Sequence, residues 1–129
     1  MIALRRSLLV LILIALVWPV RAPAQVGEVF TAPVTRVADG DTITVIDAGD
    51  AVRIRLDGID TPETNQPFGG EATAFLSAHV LHQHVTVTVK DVDRYGRFVS
   101  RISVGGEDLS LALVAAGLAW HYVLSLIHI

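Results

Sequence analysis

Two short acidic turns and two arginines are the residues in this sequence whose types and spacing could do chemistry. Asp39-Gly40-Asp41-Thr42 is the first turn, and Asp57-Gly58-Ile59-Asp60-Thr61-Pro62-Glu63 is the second. Arg55 stands just before the second turn, and another arginine closes Tyr95-Gly96-Arg97. Four or five oxygens from two such turns can converge on one ion. Carboxylates with a backbone carbonyl, without His or Cys, are hard ligands suited to calcium at roughly 2.3 to 2.6 Å rather than to zinc. Either turn alone is explained as well by ordinary turn chemistry, in which Asp and Gly shape the backbone and bind nothing. Both turns together, with an arginine at each side, favour a site.

The elements that must position these residues are mostly strands. Segments 29–37 and 42–46 are β-prone and separated by the turn composition Ala38-Asp39-Gly40-Asp41, which predicts a hairpin. Over 52–57 the alternation sets Val52, Ile54 and Leu56 on one face and Arg53, Arg55 and Asp57 on the other, as in a half-buried strand. Pro62 and the segment 66–70 break regular structure. Ala72, Phe75, Leu76 and Val80 then recur at helical spacing and predict one amphipathic helix over 71–83. Val85, Val87 and Val89 alternate with polar residues, 98–104 is another β-prone run, and Gly105-Gly106 turns the chain. Asp108 is placed to cap a short second helix with Leu109, Ala112, Leu113 and Ala116 inward and Gly117 at its end. Five short strands, a helix after the third and another after the fifth predict a mainly β, α+β domain: a small barrel of the OB type. A half-sandwich with two covering helices would give a similar string.

Composition narrows the function classes. The chain has 129 residues, 52% hydrophobic, 18% charged, with no cysteine and a formal net charge of −3. That length holds one small core. The absence of cysteine excludes disulfides, thiolate zinc sites and cysteine nucleophiles. A negative net charge gives no global field for phosphates, so any nucleic-acid chemistry must be local. Residues 1–24 read as a secretory signal: Arg5 and Arg6, an apolar run over 8–20, and Ala22-Pro23-Ala24 as a small-x-small cleavage site, with Gln25 as the mature start. The apolar run falls short of the ~20 residues that span a bilayer, so no stable anchor is expected after cleavage. Removal takes three arginines and no acid, leaving a mature charge of −6. The expected location is secreted or periplasmic, and the expected oligomeric state is a monomer.

The strings Val37-Ala38-Asp39-Gly40-Asp41-Thr42, Arg55-Leu56-Asp57-Gly58-Ile59-Asp60-Thr61-Pro62-Glu63 and Asp93-Arg94-Tyr95-Gly96-Arg97, followed by Gly117-Leu118-Ala119, resemble the staphylococcal nuclease-like, or thermonuclease, family. The resemblance runs over residues 34–123. It implies a five-stranded OB barrel and calcium-dependent hydrolysis of DNA and/or RNA to products with 3′-phosphate ends. By position it implies Asp41 and Asp60 as carboxylate ligands of calcium and Thr61 as a main-chain ligand. Arg55, Arg97 and Glu63 are implied as the catalytic residues, and Arg94 and Tyr95 as substrate-binding residues. The physics agrees with these roles. Guanidinium forks bridge two phosphoryl oxygens and stay charged, and a carboxylate beside the metal can deprotonate or orient water.

The sequence also departs from the family pattern. The loop 64–70 is short and lacks lysines, which removes phosphate-steering charge from the groove rim. Residues 124–129 follow no period and match a translated sequencing-adaptor peptide, so the domain is read as 25–123 with the final family helix missing and a non-native tail over 124–129. Trp120, His121 and Tyr122 are candidates to stand in for the family's base-facing tyrosines, as stacking residues or as core. His79, His82 and His84 have no acidic neighbours that would complete a zinc site, and they sit where a helix C-terminus favours them. The rival reading is a non-catalytic OB-type module that binds nucleic acid or a protein, and retention of the full catalytic set argues against it.

Overall fold

The computed structural model describes residues 25–121, so the expected signal and the tail lie outside the described residues. The elements run β1 (Val29–Asp39), β2 (Thr42–Asp47), β3 (Asp50–Leu56), β4 (Ile59–Asp60), α1 (Gly69–Val80), β5 (His84–Val92), β6 (Phe98–Val104), β7 (Glu107–Asp108), α2 (Leu109–Ala115) and β8 (Trp120–His121).

Alternation builds the barrel wall. Phe30, Ala32 and Val34 of β1, Ile43 and Val45 of β2, Ile54 and Leu56 of β3, and Val85, Val87 and Val89 of β5 all point inward and are buried. The long β1 serves two neighbours. Its first half pairs antiparallel with β5 from Val29 to Pro33, and its second half pairs with β2 from Val34 to Asp39 through two register shifts. Such irregularities bend and twist a strand, which lets one strand take part in two walls. β2 pairs with β3 and β5 with β6, both antiparallel. The parallel pairing of Ile54, Arg55 and Leu56 with Phe98, Val99 and Ser100 then closes the five-stranded barrel. Closure removes the open sheet edges. The expected OB-type α+β barrel is therefore the observed one, with a helix after the third and after the fifth barrel strand.

The helices plug the barrel. Ala72, Leu76 and Val80 of α1 and Leu109 and Leu113 of α2 are buried. The α2 start is as expected: the Asp108 side chain accepts the Leu111 N–H at 3.2 Å. Ala112 is only partly covered and Ala116 is exposed, because the helix ends at Ala115 and only its Leu109/Leu113 stripe meets the barrel. The α1 boundaries differ from the expected 71–83. The helix starts two residues earlier, at Gly69, where an added Cβ would lie 1.8 Å from the Glu63 carbonyl oxygen. It ends at Val80, because Leu81 is extended and His82 has φ 61, which breaks the helical ladder before β5. Three two-residue strands, β4, β7 and β8, were not evident from sequence.

Candidate active site

β3 and the two acidic turns meet at one rim of the barrel. Gly40 makes the approach possible: a Cβ there would lie 2.7 Å from Ala72 Cβ and 2.8 Å from Thr61 Oγ1. Without one, the first turn packs against α1 and against the second turn at once. Asp41 is buried there. Its Oδ1 accepts the Thr42 hydroxyl at 3.1 Å, its Oδ2 accepts the Thr61 N–H at 3.2 Å, and its own N–H donates to Asp39 Oδ1 at 3.1 Å. Asp60 is fixed by strand pairing, since β4 pairs antiparallel with β8 and sets Asp60 opposite Trp120.

Arg55 ties the two turns together. One guanidinium nitrogen, Nη1, lies 3.3 Å from Asp41 Oδ2 and donates to the Leu56 carbonyl at 3.0 Å, while Nη2 donates to Asp60 Oδ1. Asp41, Arg55, Asp60 and Thr61 thus form one cluster, as the sequence implied. Burial pushes the Asp41 carboxyl up to about 6. The hydrogen bond with Asp39 and the Asp39 charge add to the rise, while Arg55 and the Thr61 N–H oppose it.

The chemistry of the donors tests the fit of a cation. The donors brought together are the Asp41 and Asp60 carboxylates, both hard oxygens, with Thr61 adjoining Asp41 through its N–H, and calcium completes six to eight ligands with waters and substrate. Among the described residues no three His, Cys, Asp or Glu side chains form a ready metal cage. The set fits a hard cation that shares its shell with water and substrate, with Asp41, Asp60 and Thr61 as the protein's part, and it does not fit zinc. The three histidines are elsewhere. His79 Nδ1–H donates to the Phe75 carbonyl at 2.7 Å and its ring stacks on Phe75, while His82 and His84 are exposed.

Across a groove of about 500 Å3 from Arg55 and Asp60 stands the segment 93–97. Asp93 shapes it. Its Oδ1 accepts the N–H groups of Tyr95 at 2.9 Å and Arg97 at 3.0 Å, and its Oδ2 accepts Arg97 Nε at 2.7 Å. Arg97 is therefore aimed by its own turn. Tyr95 lies between two guanidiniums, with Arg94 Cζ at 5.0 Å and Arg97 Cζ at 5.4 Å from its ring centre, within cation–π range. The groove thus gathers Arg55, Asp60, Arg94, Tyr95 and Arg97 from segments distant in sequence.

Glu63 sits on the stretch leading to α1 with its side chain exposed. Its backbone is held by Gln66, whose Oε1 accepts the Glu63 N–H and whose own N–H donates to the Glu63 carbonyl, both at 2.8 Å. Trp120 is half exposed at 53%, and Tyr122 lies outside the described residues. Two supporting residues escaped the sequence reading. Asp93 was signalled only as part of a motif, though an Asp two residues before a Tyr-Gly pair is a recognisable Asx-turn former. Arg53 donates from Nη2 to the Tyr95 carbonyl at 2.8 Å, across 42 residues, and no local signal marks that contact.

Known proteins resemble this chain over most of its length. Residues 53–126 match the family described as staphylococcal nuclease homologue. A protein of Escherichia coli O157:H7 named uncharacterized endonuclease is 40% identical over 118 residues, covering 91% of this chain and 74% of that protein. A micrococcal nuclease of Shigella flexneri is 38% identical over 102 residues, covering 72% and 59% respectively. A thermonuclease of Staphylococcus hyicus is 39% identical over 97 residues, covering 69% and 57%. With Arg55 joining the two acidic turns and the Asp93-anchored Arg97 across the groove from it, and with a family match over more than half its length, the chain belongs to the staphylococcal nuclease homologue family.

Proposed function

We propose that this chain is an exported nuclease that hydrolyses DNA and/or RNA with calcium at Asp41, Asp60 and Thr61 and leaves 3′-phosphate ends. The observation that carries the reading is the convergence of Asp41 and Asp60 on Arg55, which lines a groove with Asp60 on one side and Arg97 on the other. Membership of the family supports the nuclease activity, and the endonuclease and thermonuclease names of the relatives agree with it.

Arg55 and Arg97 hold the phosphodiester from two sides through its non-bridging oxygens, where negative charge grows as water adds at phosphorus. Bound at the two aspartates, calcium would supply Lewis-acid stabilisation of that same charge. Glu63, exposed to solvent, accepts a proton from the attacking water or orients it. The bond from phosphorus to the 5′ oxygen breaks, that oxygen takes a proton from solvent water and leaves as a hydroxyl, and the phosphate stays on the 3′ side. Tyr95 and Arg94 line the groove for the strand beyond.

Single-stranded DNA with calcium is the direct assay. Arg97→Lys and Glu63→Gln are each expected to lower the cleavage rate about 100- to 1000-fold, the usual cost of one donor or base at a charge-developing centre. Binding without cleavage by the wild type would overturn the reading in favour of a non-catalytic module. Export is tested separately, by N-terminal sequencing of protein from the periplasm or medium, where a start at Gln25 is expected.

A further inference from the structure

Arg53, Arg55, Arg94 and Arg97 line the two openings that meet at Tyr95, and they differ in how their charge is met; Arg94 lies over the Tyr95 ring, 5.0 Å from its centre. Arg97 is paired with Asp93, and Arg55 with Asp41 and Asp60. Arg53, exposed on β3, has the neutral Tyr95 carbonyl as its hydrogen-bond partner and no carboxylate among the described residues. A guanidinium carries five donors in a fixed fork, so one hydrogen bond to a carbonyl orients the group and leaves donors and the full charge for a second partner.

The place it faces is a second opening of about 360 Å3, lined by Arg53, Tyr95 and Arg97. The main groove shares Tyr95 and Arg97 with it, so the two run into each other around the tyrosine. Strand geometry fixes the spacing. Arg53 and Arg55 are two residues apart on one outward face of β3, about 6.8 Å along the strand, which is of the order of one step of an extended nucleotide chain. Successive guanidiniums on one strand face can therefore meet successive phosphates.

We propose that Arg53 binds the phosphate next to the scissile one, extending the active groove past Tyr95 by one nucleotide and favouring polynucleotides over dinucleotides. This rests on the reading that the groove of Arg55 and Arg97 takes a phosphodiester. The contact is to phosphate, so deoxy- and ribo-oligomers are treated alike.

The test is equilibrium binding of the full chain by fluorescence anisotropy in calcium on a Glu63→Gln background, where cleavage is suppressed, comparing Arg53→Gln, Arg53→Lys and unchanged Arg53. The probes are a single-stranded oligomer of about ten nucleotides, in deoxy and ribo forms, and a dinucleotide. Arg53→Gln is expected to weaken the oligomers about fivefold and to lower the slope of log affinity against log salt by about 0.7, with the dinucleotide unchanged. Arg53→Lys is expected to recover most of the loss. Equal weakening of oligomer and dinucleotide would overturn the proposal and assign Arg53 only to holding the Tyr95 turn. No change with either probe would also overturn it. Loss of cleavage activity in the wild type would count against the hydrolase reading alone, because the binding comparison does not depend on turnover.

Discussion

Arg97 is held toward the groove because Asp93 grips its backbone and its side chain together. Burial alone would raise the Asp93 carboxyl. The Arg97 N–H, the Arg97 guanidinium and the Tyr95 N–H outweigh that, and the group titrates below its ordinary range. A carboxyl depressed in the folded state stabilises fully above its unfolded value of about 4 and loses that contribution as pH falls through the folded value. The wild type should therefore exceed Asp93→Asn in urea midpoint at neutral pH, and the gap should shrink below about pH 4. A gap that does not change with pH would contradict this account of the turn. Asp93→Asn should also lower kcat more than it raises KM, since the arginine it aims acts on developing charge. At this scale the motifs single out Asp41, Arg55, Asp60, Thr61 and Arg97; the first four are joined by hydrogen bonds and ion pairs, and Arg97 stands across the groove from Arg55. The sequence concealed Arg53, because its role depends on a carbonyl 42 residues away.

Strands, turns and helices set the tolerance of the site. Gly40 lets the first acidic turn lie against Ala72 and Thr61, so Gly40→Ala must push apart the surfaces that bring Asp41 to Thr61. It is expected to cost about 1 to 3 kcal/mol by urea denaturation and to weaken metal binding, while a neutral outcome in both would refute the close-approach argument. Leu76 is fully buried in the plug of the barrel, and Leu76→Ala should cost about 2 to 5 kcal/mol in the same assay. The barrel strands were legible because alternate burial repeats over many residues, as in Val85, Val87 and Val89. The pairing of Ile59-Asp60 with Trp120-His121 was not, because two residues carry no period. The start of α1 differs from the expected one for a related reason, since Gly69 is helical through its fit against Glu63 rather than through its propensity.

Over the whole molecule, the net charge of −3 opposes long-range attraction of nucleic acid, so binding must come from a short arginine-lined groove and, on the proposed reading, a cation among acids. Salt should therefore weaken substrate binding with a shallow slope, set by a few phosphate contacts rather than by an extended basic face. The buried Asp41 makes the same point for stability. A cation that binds only the folded chain raises its stability by about 2.7 kcal/mol at one hundred times its Kd, so calcium should raise the Tm and chelator should lower it. Asp41→Asn should remove most of that calcium response. The central claim, that these acidic turns and arginines form a calcium-dependent phosphodiesterase, is tested most directly by the cleavage rate of single-stranded DNA in calcium against the rate in EGTA. Cleavage in calcium that vanishes in EGTA is predicted, and equal rates in the two would contradict it.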